Sequence, residues 1–322
     1  MSIFASLPRA RAARESRRGL LGAAVVVVLF TMWVEPSARA LDILWSGTSS
    51  NNIGGANLDG TGVNENFITG ANMPFGIAVE GNYIYWANGG SIARANLNGT
   101  GVNLNFITGG ADTVGVAVEG GSIYWTNSST GTIGRANLDG TGVDQSLITG
   151  ASDPRGITVD ANHVYWSVST GTIGPNTGAI GRANLDGTGV NESFITGGSE
   201  INGIAVDANH IYWTNNGFPH SLITGTIGRA NLDGTGVSQI FIEDVEYPVG
   251  VALEGGSIYW TNEVVDTIGR ANIDGTDLNM NFIDLSKGNT VPSGIAVVPE
   301  PGTGLLVTAG VLGLAVARRR RA

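Results

Sequence analysis

The sequence predicts an all-β fold: a six-bladed β-propeller with four antiparallel strands per blade, the sixth blade closed by the N- and C-terminal strands. Three observations predict it. Six tryptophans (Trp45, Trp86, Trp125, Trp166, Trp213 and Trp260) recur at spacings of 41, 39, 41, 47 and 47 residues. A period of 40-odd residues built from short apolar runs belongs to radially repeated sheets. Between Leu41 and Val298 no window of helical length keeps a 3.6-residue apolar period. Finally, the copies are offset. The first repeat opens on Ile43-Leu44-Trp45-Ser46 with no preceding strand, and the last copy, Gly294-Ile295-Ala296-Val297, has no Tyr-Trp strand after it. The two fragments complete one blade, whereas an open array would need polar capping repeats.

Residues 1–40 read as a secretory signal peptide. Arg9, Arg11, Arg14, Arg17 and Arg18 precede an apolar run from Gly19 to Val34, and Ala38-Arg39-Ala40 offers an A-x-A site with cleavage after Ala40. Ser16-Arg17-Arg18-Gly19-Leu20-Leu21 loosely resembles a twin-arginine signal, although the strength of the apolar run favours an ordinary arginine-rich leader.

Within the 41–298 domain the third repeat, Gly115 to Gly150, shows the unit. Strand one is Gly115-Val116-Ala117-Val118, turned by Glu119-Gly120-Gly121-Ser122; strand two is Ile123-Tyr124-Trp125-Thr126. Strand three runs from Ile133 to Leu138, and Asp139-Gly140 turns it into strand four around Leu147-Ile148-Thr149. Short β-branched and aromatic runs bounded by Asp-Gly and Gly-Gly are meander signals. Strand one recurs as Gly76-Ile77-Ala78-Val79, Gly156-Ile157-Thr158-Val159, Gly203-Ile204-Ala205-Val206 and Gly250-Val251-Ala252-Leu253. Its small Gly/Ala face is expected to make room for an aromatic ring of the adjacent blade. The tryptophans, each able to bury about 150–250 Å², are expected to carry the packing between blades.

Ile-Tyr-Trp-Thr at 211–214 and 258–261, and Arg-Ala-Asn-Leu-Asp-Gly ending at Gly140, Gly187 and Gly234, resemble the low-density-lipoprotein-receptor class B, or YWTD, repeats. The resemblance covers essentially all of Leu41 to Val298 and implies a six-bladed propeller, more readily a binding module than an enzyme. Asn215 and Asn262 stand where that pattern has Asp, which changes a structural polar contact. The chain end is similar to a PEP-CTERM sorting signal. Pro299, Glu300 and Pro301 are followed by an apolar stretch from Gly302 to Ala317 and then by Arg318, Arg319, Arg320 and Arg321. That resemblance implies export from a Gram-negative bacterium and two sets of partners, the secretion machinery and an exosortase. It also implies transient membrane anchoring through an apolar C-terminal helix (residues 299–322 forming the signal), cleavage near the motif, and delivery to the cell surface or matrix. The apolar stretch is short against the 17–25 residues or so of a stable span, and a permanent tail anchor is the other reading.

Twenty-four of the 27 acidic residues but only seven of the 17 basic ones fall between Leu41 and Val298, so the propeller carries a formal charge of −17. Such a domain is a poor partner for nucleic acid or anionic lipid. There is no cysteine, which excludes disulfides and thiolate metal sites.

Little chemistry is written in the repeats. The Asp-Gly pairs at Asp59, Asp139, Asp186, Asp233 and Asp274 lack the alternating ligands and closing Glu of a calcium loop and read as turn chemistry. Arg94, Arg135, Arg182, Arg229 and Arg270 recur once per blade and read as scaffold, and His163 and His210 fall in turns. No G-x-S-x-G motif appears. Function has room where the repeats disagree. The loops after Trp166 and Trp213 are longer than in the other blades, and the residue before the strand-one glycine is Phe75, Val114, Arg155, Asn202, Val249 or Ser293. Phe75, Arg155, Asn202, Phe218, His220, Tyr247 and Lys287 are therefore expected around one mouth of the central channel, binding an extracellular polysaccharide or protein without a cofactor. The alternative is a lactonase-like hydrolase with calcium held by Asn202, Asp112, Asp153 and Glu200.

Overall fold

The computed structural model divides into two compact units, Met1–Ala38 and Arg39–Ala322. The residues it describes, 41–169, 177–216, 224–288 and 290–299, all belong to the second. The expected signal peptide, the sorting tail from Glu300 onward and the tips of both long loops lie outside the described residues.

Numbered in chain order, β1 to β24 form six four-stranded antiparallel sheets. The closing blade has the order β24 (Pro292–Val297), β1 (Ile43–Gly47), β2 (Asn52–Ala56), β3 (Asn64–Thr69). Blades 2 to 6 each run in sequence from an inner strand outward. Their inner strands are β4 (Pro74–Glu80), β8 (Thr113–Glu119), β12 (Pro154–Val159), β16 (Ile201–Val206) and β20 (Pro248–Glu254). Ring closure is as the offset copies predict: Ile43 pairs with Val297, Leu44 with Ala296 and Trp45 with Ile295.

The core consists of six separate clusters, one at each junction between blades. In each, the tryptophan of one blade packs on isoleucines from strands three and four of the preceding blade. Trp125 meets Ile92 and Ile107, Trp213 meets Ile180 and Ile195, and Trp45 meets Ile268 and Ile283 of the last blade. All six indoles are essentially fully buried.

The small residues behind this packing divide in two: the strand-one alanines share core clusters with the next blade's tryptophan, as expected (Ala78 with Trp125, Ala117 with Trp166, Ala205 with Trp260, Ala252 with Trp45), while the glycines act differently. Room for the ring is made on strand three of the same blade, directly across the ladder, where Gly54, Gly134, Gly181, Gly228 and Gly269 pair with the tryptophans. A Cβ at any of them would run into the indole. The strand-one glycines instead let backbones meet. A Cβ at Gly76 would strike Gly115, one at Gly115 would strike the carbonyl of Arg155, and so on around the ring until Gly294 meets the carbonyl of Phe75. The difference has a geometric cause: neighbouring inner strands approach one another most closely at these glycines, where only backbone fits.

Each inner strand also carries a β-bulge just before its glycine. A bulge takes an N–H out of the ladder, and the hydroxyl of strand two replaces the lost partner. Gly115 N–H donates to Thr126 Oγ1 at 2.8 Å, and that hydroxyl donates onward to the Arg155 carbonyl of the next blade at 2.6 Å. Ser167, Thr214, Thr261 and Ser46 repeat both bonds, reaching the carbonyls of Asn202, Val249, Ser293 and Phe75. The hydroxyl belt is interrupted once, at Ala87 of blade 2.

The asparagine after that hydroxyl has a physical reason to be an amide. Asn215, fully buried, accepts from Ser199 N–H at 3.2 Å and donates to the Gln239 carbonyl at 2.9 Å and to Thr226 Oγ1. Asn127 and Asn88 likewise accept on Oδ1 and donate through Nδ2 to carbonyls of strand four. A carboxylate has nothing to donate to those carbonyls.

The turns and arginines are scaffold as read. Asp139 Oδ1 accepts from the Thr141 N–H at 2.9 Å and from its hydroxyl at 2.6 Å, and Gly140 takes a left-handed φ of 84°. Arg94, Arg182 and Arg229 stack 3.9 Å above the rings of Phe106, Phe194 and Phe241.

Two substitutions test these assignments in thermal melts of the 41–298 domain. Ala87→Ser, which supplies the missing hydroxyl in a place where Ser46 and Ser167 already fit, should stabilise by about 1 kcal/mol and raise Tm by about 2–4 °C; a lower Tm would contradict the belt. Asn215→Asp should cost about 3 kcal/mol, because a buried charge would face a carbonyl; a neutral result would mean that the amide is not required.

Candidate binding site at the channel mouth

The six inner strands enclose a central cavity of about 510 Å³. Its wall is the repeated Gly-Ile-Ala-Val face, whose surface is shared nearly equally by polar and apolar atoms. Because each bulge carbonyl that the belt reaches is held by the preceding blade, the bulge backbone is fixed while its side chain remains free to vary. In ring order those side chains are Ser293, Phe75, Val114, Arg155, Asn202 and Val249, and all six line the cavity. They give the mouth an apolar arc on blades 2 and 3 and a polar arc on blades 4 and 5.

The polar arc is a connected set. Arg155 Nε and Nη2 both donate to Asp153 Oδ2 at 3.3 Å, and Nη1 donates to Asn202 Oδ1 at 3.3 Å. Arg155 and Asp153 are the only charged residues in the described lining, with side chains 35% and 37% exposed. The pair is therefore accessible, and solvent screening limits its worth to stability.

Around the mouth, the residue preceding each inner strand of blades 2 to 6 has a left-handed backbone. The φ values are 44° at Met73, 50° at Asp112, 40° at Asp153, 43° at Glu200 and 49° at Tyr247. For side chains such as Met, Glu and Tyr this conformation is uncommon and is held by its surroundings. At two of these positions the carbonyl is held from the loop of the same blade: Ser128 N–H and its hydroxyl both donate to the Asp112 carbonyl at 3.1 Å, and Glu263 N–H donates to that of Tyr247 at 3.2 Å.

An acidic rim continues from blade 5 towards the closing blade. Burial, then the neighbouring Asp266 and Glu200, push the Glu263 carboxyl above its ordinary range. Burial and Glu65 do the same to Asp266. The Tyr247 hydroxyl is raised by burial and by Glu200 and Glu263, with Arg155 opposing.

Of the residues expected at the mouth, Phe75, Arg155 and Asn202 are together in the cavity wall. Tyr247 sits on the rim within electrostatic reach of Arg155 but is not part of the wall. Lys287 is exposed in the turn after β23 (Asn279–Asp284), near the Asp284 carboxylate and outside the wall. Phe218 and His220 lie outside the described residues. Asp153 was expected only as a metal ligand; its place two residues before Arg155 was the signal for a partner. The oxygens of Asp153 and Asn202 already engage the Arg155 guanidinium, and among the described residues no three His, Cys, Asp or Glu side chains are grouped to hold a metal.

Residues 121–161 match the low-density lipoprotein receptor repeat class B. The matched class B repeat starts at strand two and ends in the next blade's strand one, the same offset with which the described chain begins. Residues 297–321 match the PEP-CTERM protein-sorting motif, which indicates export and cell-surface sorting in a Gram-negative bacterium and implies processing by an exosortase. Among solved structures, a chain of a nidogen/laminin complex superposes with a TM-score of 0.66 at 21% identity, covering 80% of this chain and 98% of that one. A PQQ-bound aldose sugar dehydrogenase from Streptomyces coelicolor gives 0.55 at 16% identity over 71% and 86% of the two chains. A gluconolactonase from Xanthomonas campestris gives 0.52 at 16% over 69% and 77%. At these identities the likeness is one of fold. No curated protein matches the sequence.

The ionisable groups predict a stability maximum at mildly acidic pH. Hydrogen bonds from the threonine two residues on hold Asp59, Asp139, Asp186, Asp233 and Asp274 below their ordinary range. Their contribution is complete above that range and is lost as pH falls through the lowered values. Burial raises Glu192, Glu263 and Asp266, so theirs is complete below the ordinary range and is lost as pH rises through the raised values. Urea midpoints should therefore rise as pH falls from 7 towards about 4, near ordinary carboxyl values, and drop below that. A steady decline from pH 7 downward would contradict the assignment.

Proposed function

We propose that this exported propeller is a non-enzymatic binding module that holds a segment of extracellular polysaccharide at the channel mouth, on the cell surface or in the matrix. One observation carries the reading: the inner strands differ among themselves at the bulge residue, and the six bulge residues line one cavity. Phe75 supplies a face on which a sugar ring can stack. Arg155, Asp153 and Asn202 supply fixed donors and acceptors for ring hydroxyls, in a pocket of a size usual for small-ligand recognition. The acidic rim and the charge of −17 favour neutral or amino-bearing sugars over anionic ones.

Glycan-array screening of the 41–298 domain, followed by calorimetry on the hits, tests this. Arg155→Ala, Asn202→Ala and Phe75→Ala should each weaken binding at least about tenfold, a loss of about 1.4 kcal/mol. Val63→Ser, in the strand three to four turn on the opposite face, should leave it unchanged. Affinity indifferent to all three mouth variants would place the ligand elsewhere. Stoichiometric calcium with lactone turnover abolished in Asn202→Ala would replace binding with catalysis.

A further inference from the structure

The fold ends with no spacer before its sorting motif. β24 is both the inner strand of the closing blade and the last strand among the described residues, and its final residues are paired with β1 through Ile295, Ala296 and Val297. Val298 prolongs the pairing: its N–H donates to the Asp42 carbonyl at 2.7 Å, and its side chain, 4% exposed, shares a core cluster with Leu41. Pro299 follows at once, and the motif match itself begins at residue 297. Two residues of the sorting signal are thus part of the propeller.

A peptide-cutting enzyme takes its substrate as an extended strand and recognises backbone groups over several residues beside the bond it breaks, as other strand-adding partners do. For a cut within Pro299–Pro301 those upstream residues are Ile295 to Val298. Pro299 and Pro301 have no N–H to offer, which places more of the recognition on them. Yet their side chains are 4–8% exposed and their backbone is committed to β1. Reach adds a second obstacle. Four residue steps separate Val298 from Gly302, where the apolar stretch starts, and span about 14 Å at most. A closed propeller on so short a tether would cover the bond.

We propose that ring closure and tail processing compete for Ile295–Val298, so that the enzyme cuts the chain while β24 is undocked from β1 and the closed propeller is resistant. This rests on the reading that the tail is processed. In the cut, one peptide bond in the motif breaks. Its acyl carbon takes the oxygen of water to leave a carboxylate on the propeller side, and the tail departs with a new amino terminus. β24 is the last strand to emerge during export, so an open five-blade intermediate is the natural substrate, and closure follows release.

The absence of cysteine makes the test clean. In the full-length precursor, expressed in a Gram-negative host that processes proteins bearing this motif, Leu44→Cys with Ala296→Cys would place a disulfide across a directly paired position of β1 and β24. Tail loss is read by intact mass. Wild type, each single variant and the reduced pair should lose the tail at similar rates, and the oxidised pair at least tenfold more slowly. A twelve-residue Gly/Ser insertion between Val298 and Pro299 should restore cleavage of the oxidised pair and accelerate that of the wild type several-fold. Equal cleavage of oxidised and reduced pairs, or an insertion without effect on either, overturns the competition. A tail retained in every variant, wild type included, overturns the processing reading itself.

Discussion

The pairing of β24 with β1 is the constraint on which the molecule depends. Every other strand pairing joins neighbours in sequence, but this one joins residues about 250 positions apart, through Ile43 with Val297 and Trp45 with Ile295. Only with that pairing does Trp45 find Ile268 and Ile283, and only then does Gly294 reach the carbonyl of Phe75 to complete the axial ring. An antiparallel sheet left open exposes an edge; here the edges of the first and last segments are consumed by one another. The hydroxyl belt follows from the same geometry, since Ser46 of the closing blade accepts from Gly294 and donates to Phe75.

A sixfold scaffold of this kind separates stability from recognition. Tryptophan on glycine and hydroxyl on bulge recur in five blades and arginine on phenylalanine in four, and they leave little surface for specificity. The bulge side chains escape this uniformity because their backbone is fixed from behind. A change from arginine at Arg155 to valine at Val249 alters the mouth while the belt hydroxyl reaches both carbonyls. The left-handed residues at Asp112 and Tyr247 belong to the same rim, where their carbonyls accept bonds from the loops of their own blades.

Much of this was legible in the residues. The tryptophan period gave the blade count, the missing half-repeats gave closure, and Asp-Gly gave turns whose aspartates cap threonines. Other features needed coordinates, because they involve partners that repeats do not display. Glycine at 76 and glycine at 134 look alike in sequence, yet one faces a backbone near the axis and the other an indole across a ladder. Asn215 looks like a weakened Asp until its amide is seen donating to the Gln239 carbonyl. Phe75, Arg155 and Asn202 could be placed at the mouth because register fixes strand ends. Lys287 could not, because a turn after an outer strand has no register to fix its distance from the axis.

The most direct test of closure compares unfolding of residues 41–298 with that of residues 41–291, which lack β24. Removal should abolish the single cooperative thermal transition and expose Trp45, seen as a red-shifted tryptophan emission at temperatures where the complete domain is native. Retention of the same Tm and emission by the shortened chain would show that the ring does not depend on its last strand, and the account built on it would fail.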